Sequence, residues 1–293
     1  MPEITRRRTG ELLRKLFEIL ISHPEGLPAR QSLEQLEGTV TLTPYEAGSY
    51  DSGDRRFEKI VRFATVDCVK AGWLVKQKGV WFITEAGKQA FASFRDPEAF
   101  YREAVRLYNV WKSGQPTAES DEDLGGAAKE TSITFEKAEE VAWAEIQAHL
   151  GAMSPYEFQS LVASLLKAMG YYVAWEAPPG KDGGVDVIAW SDPLGTKPPR
   201  IKAQVKRYAS SVPVADVRSF MAMLGDDDAG IFVTTSTFTR DAHDEARAQR
   251  NRKISLFDLE DLINLWIKYY DKLDDTARRR LPLRPIHFLA PDP

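Results

Sequence analysis

Apolar residues in the first third of the chain recur at helical spacing and then give way to two short β-like runs. Helices are predicted over residues 12–21, 28–36 and 57–68. The run WLVKQKGVWFIT at 73–84 predicts a β-hairpin, and residues 85–91 predict a last helix. Three helices followed by a hairpin are typical of a winged helix-turn-helix, so we expect a mainly α winged-helix domain over residues 1–94.

Residues 151–271 alternate between helical and extended patterns. A helix is predicted over residues 154–169, and Gly170 ends it. Strands are predicted over residues 171–175, 185–190, 200–207, 229–235 and 253–258. Because the first three strands follow one another and the later ones alternate with helices, we expect an α/β domain with a mixed central sheet.

The segments outside these two domains carry weaker patterns. Residues 95–150 are helical at both ends, with the polar, acidic stretch SGQPTAESDEDLGG between them, and predict a helical acidic linker. Residues 272–293 combine a basic run with several prolines. They predict an extended tail that packs on the sheet or on a partner.

The composition narrows the class of protein. Of the 293 residues, 43% are hydrophobic, which is ordinary for a soluble two-domain protein. Neither an apolar run of about 18 residues nor a secretory signal is present, so we expect no membrane association. The single cysteine, Cys68, allows no internal disulfide and fits the cytoplasm. Four scattered histidines argue against a zinc site, and the lack of a Gly-Lys-Ser/Thr loop argues against a nucleotide cofactor.

The acidic residues are concentrated in the middle of the chain. The formal net charge is −4, whereas a protein that binds DNA is often basic. Residues 1–94 carry +2, residues 95–150 carry −6 and residues 151–293 carry 0. Each flanking domain can therefore present a basic face despite the acidic total.

Three residues of adjacent predicted strands could perform chemistry together. Gln204 and Lys206 share one face of their strand because side chains alternate, while Ala203 and Val205 point to the core. Asp186 lies on the preceding strand, and pairing of the two strands would bring it beside Gln204 and Lys206.

Hydrolysis of a phosphodiester needs a hard cation held by oxygen ligands, and a cation such as Mg²⁺, or Mn²⁺, lowers the pKa of the attacking water. Asp186 and Gln204 would bind the metal, and Lys206 would position the water or offset phosphate charge. The alternative is that all three are ordinary strand or turn residues. The acidic run at 226–228 is interpreted as a turn before a buried strand.

Four segments, GKDGGVDVIA, AQVKRY, AGIFVTTSTFTRDA and LFDLEDLINLW, occur in this order between residues 153 and 266. Together they resemble the Mrr-type restriction endonucleases of the PD-(D/E)xK nuclease superfamily. The resemblance implies a restriction-endonuclease-like fold with Asp186, Gln204 and Lys206 as the catalytic residues. It also implies cleavage of double-stranded DNA in host defence, often of modified DNA, by a homo-oligomer such as a dimer or tetramer.

One position departs from that family, which often has a glutamate after the phenylalanine of the first helix. Here the residue is Gln159, an accessory candidate at the metal site. Glu157 is a second candidate, although Ser154 and Glu157 also form the pattern of a capping box, which we favour. Asp182 matches a recurrent acidic position of the family, and a turn-stabilising role is the alternative.

Basic and hydroxyl residues mark two surfaces that could bind the DNA backbone. Phosphate contacts on the winged helix and near the nuclease site are predicted for Arg55, Arg56, Lys59, Arg62, Lys76, Lys78, Lys181, Thr235 and Ser236. The alternatives are solvated surface charge for the cations and helix capping for the hydroxyls. Trp73 and Trp81 beside the hairpin are interpreted as core residues.

Two other functions remain open from the residues alone. The first is a catalytically silent regulator or sensor that binds DNA on a nuclease fold. The second is a repair nuclease that recognises DNA structure rather than sequence or modification. The presence of Asp186, Gln204 and Lys206 argues against the silent protein.

Overall fold

A computed structural model describes residues 4–51, 53–113, 122–178, 180, 184–208, 210–249 and 252–288, apart from the side chains of 122–128. The chain divides into two compact units. The N-terminal unit comprises Met1–Ala144 with His287–Pro293, and the C-terminal unit comprises Glu145–Ile286. No helix within the described ranges has the length and apolar character that a membrane crossing requires.

The N-terminal unit consists of helices around a small antiparallel sheet. Its helices are α1 (Arg6–Ile21), α2 (Ala29–Thr39), α3 (Arg56–Lys70), α4 (Glu85–Ser93), α5 (Pro97–Ser113) and the first part of α6 (Glu122–Ala152). Strands β1 (Leu27–Pro28), β2 (Leu74–Gln77) and β3 (Val80–Ile83) pair in the order β1-β3-β2. The predicted succession of three helices and a hairpin is present, with β1 added, and the winged-helix assignment itself stays a prediction.

The core of this unit also contains part of the segment that was predicted to be a linker. Phe17 of α1 is fully buried, and the ring of Phe100 on α5 meets it edge-on with centroids 5.1 Å apart. Trp73 and Trp81 are buried in the same unit, as expected. The prediction of a linker over 95–150 is therefore wrong for α5, which packs into the core, and residues 122–126 are helical rather than a loop.

The C-terminal unit has the mixed sheet that the sequence predicts. Its strands are β4 (Tyr172–Glu176), β5 (Val187–Trp190), β6 (Arg200–Lys206), β7 (Asp228–Thr234) and β8 (Lys253–Phe257), in that spatial order. Strands β4, β5 and β6 are antiparallel, whereas β6, β7 and β8 are parallel. The surrounding helices are α7 (Pro155–Ala168), α8 (Val214–Met221), α9 (Arg240–Ala248) and α10 (Leu259–Lys268).

Strand β7 forms the centre of the parallel part of the sheet. Phe232 is fully buried, and the rings of Phe220 and Phe238 each meet it edge-on at 5.6 Å. Ile231 and Val233 are buried as well, so both faces of the strand are covered. Continuous apolar sequence of this kind is typical of a strand that is buried on both faces. The burial of β7 on both faces fixes the position of its neighbour β6.

The segment after residue 271 is not entirely extended, contrary to the prediction for 272–293. Helix α11 (Asp275–Arg280) buries Ala277, and Leu281 after it is 2% exposed. The Trp266 indole Nε1 donates to the Leu281 carbonyl at 3.3 Å. The guanidinium of Arg280 donates to the Ser164 hydroxyl at 2.9 Å, so these contacts fix the first part of the tail within the C-terminal unit.

Asp228 at the start of β7 connects the two central strands electrostatically. Its carboxylate is 1% exposed and accepts from Arg200 at 2.6 and 3.0 Å, while the Lys202 ammonium lies 2.8 Å away. Burial alone would raise the pKa of this carboxyl, but the hydrogen bonds from Arg200 and Lys202 hold the pKa well below its ordinary value. The last residue of the acidic run at 226–228 thus has a structural role, because it joins β7 to β6 by ion pairs.

We predict that Asp228→Asn destabilises the C-terminal unit by about 3 kcal/mol at pH 7, because it leaves two cations beside a buried neutral amide. The folded pKa lies below the unfolded value of about 3.9. The stabilisation is therefore present above that value and is lost as the pH falls through the folded pKa. Urea unfolding measures the difference at pH 7, and a series from pH 7 to pH 3 follows the onset of its decline below the unfolded pKa. Asp227→Asn, at an exposed neighbour, is the control, and equal stability of the two variants would contradict the assignment.

Candidate active site

Asp186 is positioned by the backbone of the neighbouring strand. It lies one residue before β5, whose register pairs Val187 with Ala203 of β6. The Asp186 N–H donates to the Ala203 carbonyl at 2.8 Å, and its carboxylate Oδ2 accepts from the Val205 N–H at 2.6 Å. The side chain therefore has a defined direction at the carboxyl end of β6.

Gln204 and Lys206 lie on the part of β6 that passes Asp186. Gln204 is 6% exposed, and its amide nitrogen Nε2 donates to the Gly184 carbonyl at 2.8 Å. With the nitrogen engaged, the amide oxygen is the end that can accept or bind a cation. Lys206 follows on the same face and is exposed at the strand end. The adjacent Val205 is half-buried rather than a core residue, which corrects that detail of the prediction.

Gly184 is crowded by a side chain that the sequence did not associate with it. Its φ is +85°, and a Cβ built on it would lie 2.8 Å from Cε and 2.9 Å from Sδ of Met223. The Met223 carbonyl in turn accepts from the Lys202 ammonium at 2.7 Å. The glycine therefore permits a close contact that supports the acceptor of the Gln204 amide.

Gln159 contacts the segment that leads to Asp186. It is buried on α7, and its amide nitrogen donates to the Ala177 carbonyl at 3.0 Å. The Ala177 N–H donates to the Asp186 carbonyl at 2.8 Å. Gln159 is thus linked to Asp186 by two hydrogen bonds through Ala177, and its accessory role at the metal stays a prediction.

Glu157 forms the helix cap that we favoured on the sequence. The Ser154 hydroxyl accepts from the Glu157 N–H at 3.2 Å, and the Glu157 carboxylate accepts from the Ser154 N–H at 2.7 Å. The hydrogen bond from the Ser154 N–H, together with the Ser154 side chain, holds the pKa of Glu157 below its ordinary value. Its carboxylate is therefore used at the start of α7, and we no longer assign it to the metal.

The oxygen donors at this edge of the sheet suit a hard divalent cation. Asp186 offers a carboxylate, Gln204 an amide oxygen, and the backbone a carbonyl beside it. Within the described ranges, no three His, Cys, Asp or Glu side chains gather at one point, so water and phosphate oxygens would complete the coordination shell. The predicted accessory Asp182 and the predicted DNA contact Lys181 lie outside the described residues.

The hydroxyl residues after β7 lie beside the same edge. The Thr235 N–H donates to the Lys206 carbonyl at 3.4 Å, and the Ser236 N–H donates to the Thr234 hydroxyl at 3.2 Å. Thr239 caps α9 by accepting from the Ala242 N–H. The capping alternative therefore holds for Thr239, whereas Thr235 and Ser236 are close to Lys206 and remain candidates for a phosphate contact.

The cations of the second predicted DNA surface, on α3 and the hairpin, are engaged by helix α6. Lys59 lies 2.9 Å from Glu130, and Arg62 lies 2.6 Å from Glu136. Lys76 on the hairpin also contacts Glu136, at 2.6 Å. In the described conformation a helix far along the chain therefore lies on this face, and its contact with DNA stays a prediction.

The other predicted cations of this surface also have partners. Arg55 is exposed and pairs with Glu37 at 2.5 Å, and the Arg56 guanidinium lies 4.6 Å from the centre of the Tyr45 ring. Lys78 has a φ of +50°, and its ammonium lies 5.0 Å from the centre of a Trp143 ring. Helical spacing in the sequence does not reveal any of these contacts. The sequence alone therefore suggested that the cations were available to bind DNA.

Two family models match the chain. The one described as "Restriction endonuclease", Mrr_cat, matches residues 150–266, and the one described as "Mrr N-terminal domain" matches residues 10–93. The "Type IV methyl-directed restriction enzyme EcoKMrr" of Escherichia coli (strain K12) is 24% identical over 280 residues, which cover 88% of this chain and 91% of that relative. The motifs that carried the resemblance thus lie within the matched ranges.

Two solved structures are also similar, at low TM-scores. The "DNA modification-dependent restriction endonuclease AspBHI" gives a TM-score of 0.37 at 17% identity, covering 46% of this chain and 38% of that one. The MspJI restriction endonuclease, in complex with a 27-mer oligonucleotide, gives 0.34 at 19% identity, covering 69% and 47%. The chain spans less than half of either structure, and the fold assignment rests on the family models and the strand order.

We predict that Glu157→Gln lowers the melting temperature modestly and leaves Mn²⁺ affinity unchanged, because the carboxylate caps α7. Since the folded pKa of Glu157 is lowered, the loss is present at neutral pH and disappears as the pH falls through that pKa. Calorimetry of unfolding and of Mn²⁺ binding separates the two effects. A several-fold loss of Mn²⁺ affinity without a loss of stability would return Glu157 to the metal site.

We predict that Gly184→Ala weakens Mn²⁺ binding and slows DNA cleavage by about tenfold or more, because displacement near a reacting centre is costly. The added Cβ would push the Met223 thioether and move the acceptor of the Gln204 amide. Gly170→Ala is the matched control, since Gly170 has a φ of +97° and open space around it. Equal effects of both substitutions would show that backbone strain alone is responsible.

Proposed function

The chain belongs to the Mrr-type restriction endonucleases, and on this basis we propose that Asp186 and Gln204 hold the divalent cation with which it cleaves duplex DNA. Lys206 is the catalytic cation of this site. Mg²⁺ is the proposed metal, and Mn²⁺ is the proposed substitute. The proposal makes one edge of the central sheet, at the carboxyl end of β6, the place of phosphodiester hydrolysis.

The observation that carries the proposal is the pair of backbone hydrogen bonds that fix Asp186 against β6. The Asp186 N–H donates to the Ala203 carbonyl at 2.8 Å, and the Asp186 carboxylate accepts from the Val205 N–H at 2.6 Å, one residue beyond Gln204. A carboxylate and an amide oxygen with fixed directions need little reorganisation when a cation binds. An acidic residue in a flexible turn would not offer this arrangement.

Each residue then has a defined task. A bound Mg²⁺ would stabilise charge on the phosphate and lower the pKa of a water molecule. Asp186 contributes the charged ligand and Gln204 a neutral one. Lys206, exposed beside them, offsets the negative charge of the phosphate and orients the water. Thr235 and Ser236 follow β7 at the same edge and are proposed to bind a backbone phosphate nearby.

The proposed substrate is methylated or otherwise modified DNA. The Escherichia coli relative is named a methyl-directed enzyme, and AspBHI is named a modification-dependent one. A duplex has two strands to cut, so we propose that the protein acts as a homo-oligomer, either a dimer or a tetramer. The proposed location is the cytoplasm, where host DNA and a reduced Cys68 would both be found.

We predict that purified protein cuts plasmid DNA with Mg²⁺ or Mn²⁺, prefers methylated plasmid, and is inactive in EDTA. Asp186→Ala and Lys206→Ala should each lower the rate by at least about a hundredfold, the order of loss expected when transition-state charge stabilisation is removed. Agarose gels separate supercoiled, nicked and linear plasmid, so they measure cleavage of one strand and of both strands.

The control variants remove similar charges away from the site. Asp227 lies at the opposite, amino end of β7, so Asp227→Ala is the control for Asp186→Ala. Lys197 lies in the turn before β6, so Lys197→Ala is the control for Lys206→Ala. Binding without cutting by folded wild-type protein would favour the silent sensor. Preference for junctions or nicked duplexes over methylated plasmid would favour a structure-specific repair nuclease.

A further inference from the structure

Helix α6 presents a row of carboxylates to the surface that was predicted to bind DNA. The buried Ile133 anchors this part of the helix in the N-terminal unit. Around it, Glu130, Glu136 and Glu140 each contact a cation of α3 or of the hairpin. The contacts extend along the helix for more than two turns, so they form a continuous strip rather than a single ion pair.

Glu136 is at the centre of the strip. It is 8% exposed and accepts from Arg62 at 2.6 Å, from Lys76 at 2.6 Å and from the Trp81 indole at 2.9 Å. Burial lowers the pKa of Lys76, while Glu136 beside it acts in the opposite direction. Three donors thus converge on one carboxylate, as donors converge on a phosphate oxygen in a protein–DNA complex.

The flanking contacts repeat the pattern at both ends. Glu130 lies 2.9 Å from Lys59, and Glu140 lies 2.8 Å from the second guanidinium nitrogen of Arg62. At the tip of the hairpin, the Glu139 carboxylate accepts from the backbone N–H of Lys78 at 3.1 Å. Backbone N–H groups, lysines and arginines are the groups that bind the DNA backbone.

We propose that α6 is an internal competitor of DNA, whose carboxylates occupy the phosphate-binding positions of α3 and the β2–β3 hairpin until duplex DNA displaces them. This inference rests on the proposed function, because it requires that the protein bind duplex DNA. As a consequence, the affinity for DNA depends on how much more strongly the basic face binds DNA phosphates than it binds the carboxylates of α6. The basic face alone does not set it.

The exchange is physically reasonable because it replaces one anion by another. Buried ion pairs lose much of their Coulomb energy to desolvation, so their net stabilisation is small while both partners are present. Removal of α6 without a replacement would leave Arg62 and Lys76 unpaired in a partly buried site, which is costly. DNA phosphates supply the replacement charge, so release of α6 and binding of DNA are expected to occur together.

The first test removes charge from the strip without disturbing its buried centre. Glu130→Gln/Glu140→Gln weakens the two flanking contacts and keeps Glu136. The control is Glu25→Gln/Glu145→Gln, which changes the net charge equally at exposed positions outside the strip. Fluorescence anisotropy with a methylated duplex should give a Kd about two- to tenfold lower for the strip variant than for the control, as expected for two partly exposed ion pairs.

The second test locks α6 in place. A Cβ on Gly79 would lie 3.2 Å from the Cβ of Glu140, slightly below the separation of about 3.5–4.5 Å that a disulfide spans. Gly79→Cys/Glu140→Cys can therefore be compared in its oxidised and reduced forms. The native Cys68 is fully buried and should not react. We expect the oxidised form to bind DNA at least about tenfold more weakly than the same protein after reduction.

The outcomes separate this inference from the proposed function. Tighter binding by the strip variant and weaker binding by the locked form support the competitor. If both forms of the cysteine variant bind DNA equally and the strip variant matches its control, the competitor is wrong. If the protein nevertheless cleaves DNA in a metal-dependent reaction, the proposed nuclease function stands without the competitor. Absence of DNA binding by every folded form, wild type included, would overturn both proposals.

Discussion

The hydrogen bond from the Val205 N–H to the Asp186 carboxylate depends on the register between β5 and β6, and the site depends on that register. Val187 is paired with Ala203, and a slip of one residue would exchange the two faces of the strand. Gln204 and Lys206 would then point away from Asp186. The register is held from the other side, because β6 also pairs along its whole length with β7, whose Phe232 is fully buried. The relative positions of Asp186, Gln204 and Lys206 therefore depend on apolar packing in the middle of the sheet.

Two buried carboxylates show how similar charge pairing can have different mechanical consequences. Asp228 and its partner Arg200 are directly opposite each other on paired strands. The pairing of the strands therefore keeps the two residues adjacent even when their side chains change rotamer. Glu136 meets Arg62 and Lys76 only through side chains, because it follows Arg62 by 74 residues and Lys76 by 60 along the chain. The first pair can separate only when the sheet unfolds. The second can separate by movement of one helix, which is the property that a displaceable contact requires.

The sequence predicted the helices, the strands and the shared face of Gln204 and Lys206 better than it predicted which cations lie on open surfaces. Period-two and helical spacing identified every strand of the mixed sheet, and alternation along β6 placed Gln204 and Lys206 on one face. These signals are local, whereas burial of a cation depends on residues far along the chain. Arg62 was therefore expected to be on an open face, and the contact of Met223 with Gly184 left no trace in the pattern. The capping box at Ser154 was predictable because both of its hydrogen bonds join residues three apart.

The position of the negative charge resolves the apparent conflict between an acidic chain and a DNA substrate. The excess lies in residues 95–150, and Glu130, Glu136 and Glu140 of that segment face cations of the N-terminal unit. While they do so, they neutralise the basic face at contact distance, where salt screens poorly because the groups are partly buried. Once separated from that face, the same cations would be available to phosphates. If α6 is the competitor that we propose, the affinity for DNA depends on which anion occupies α3 and the hairpin, and the net charge of the chain alone does not predict it.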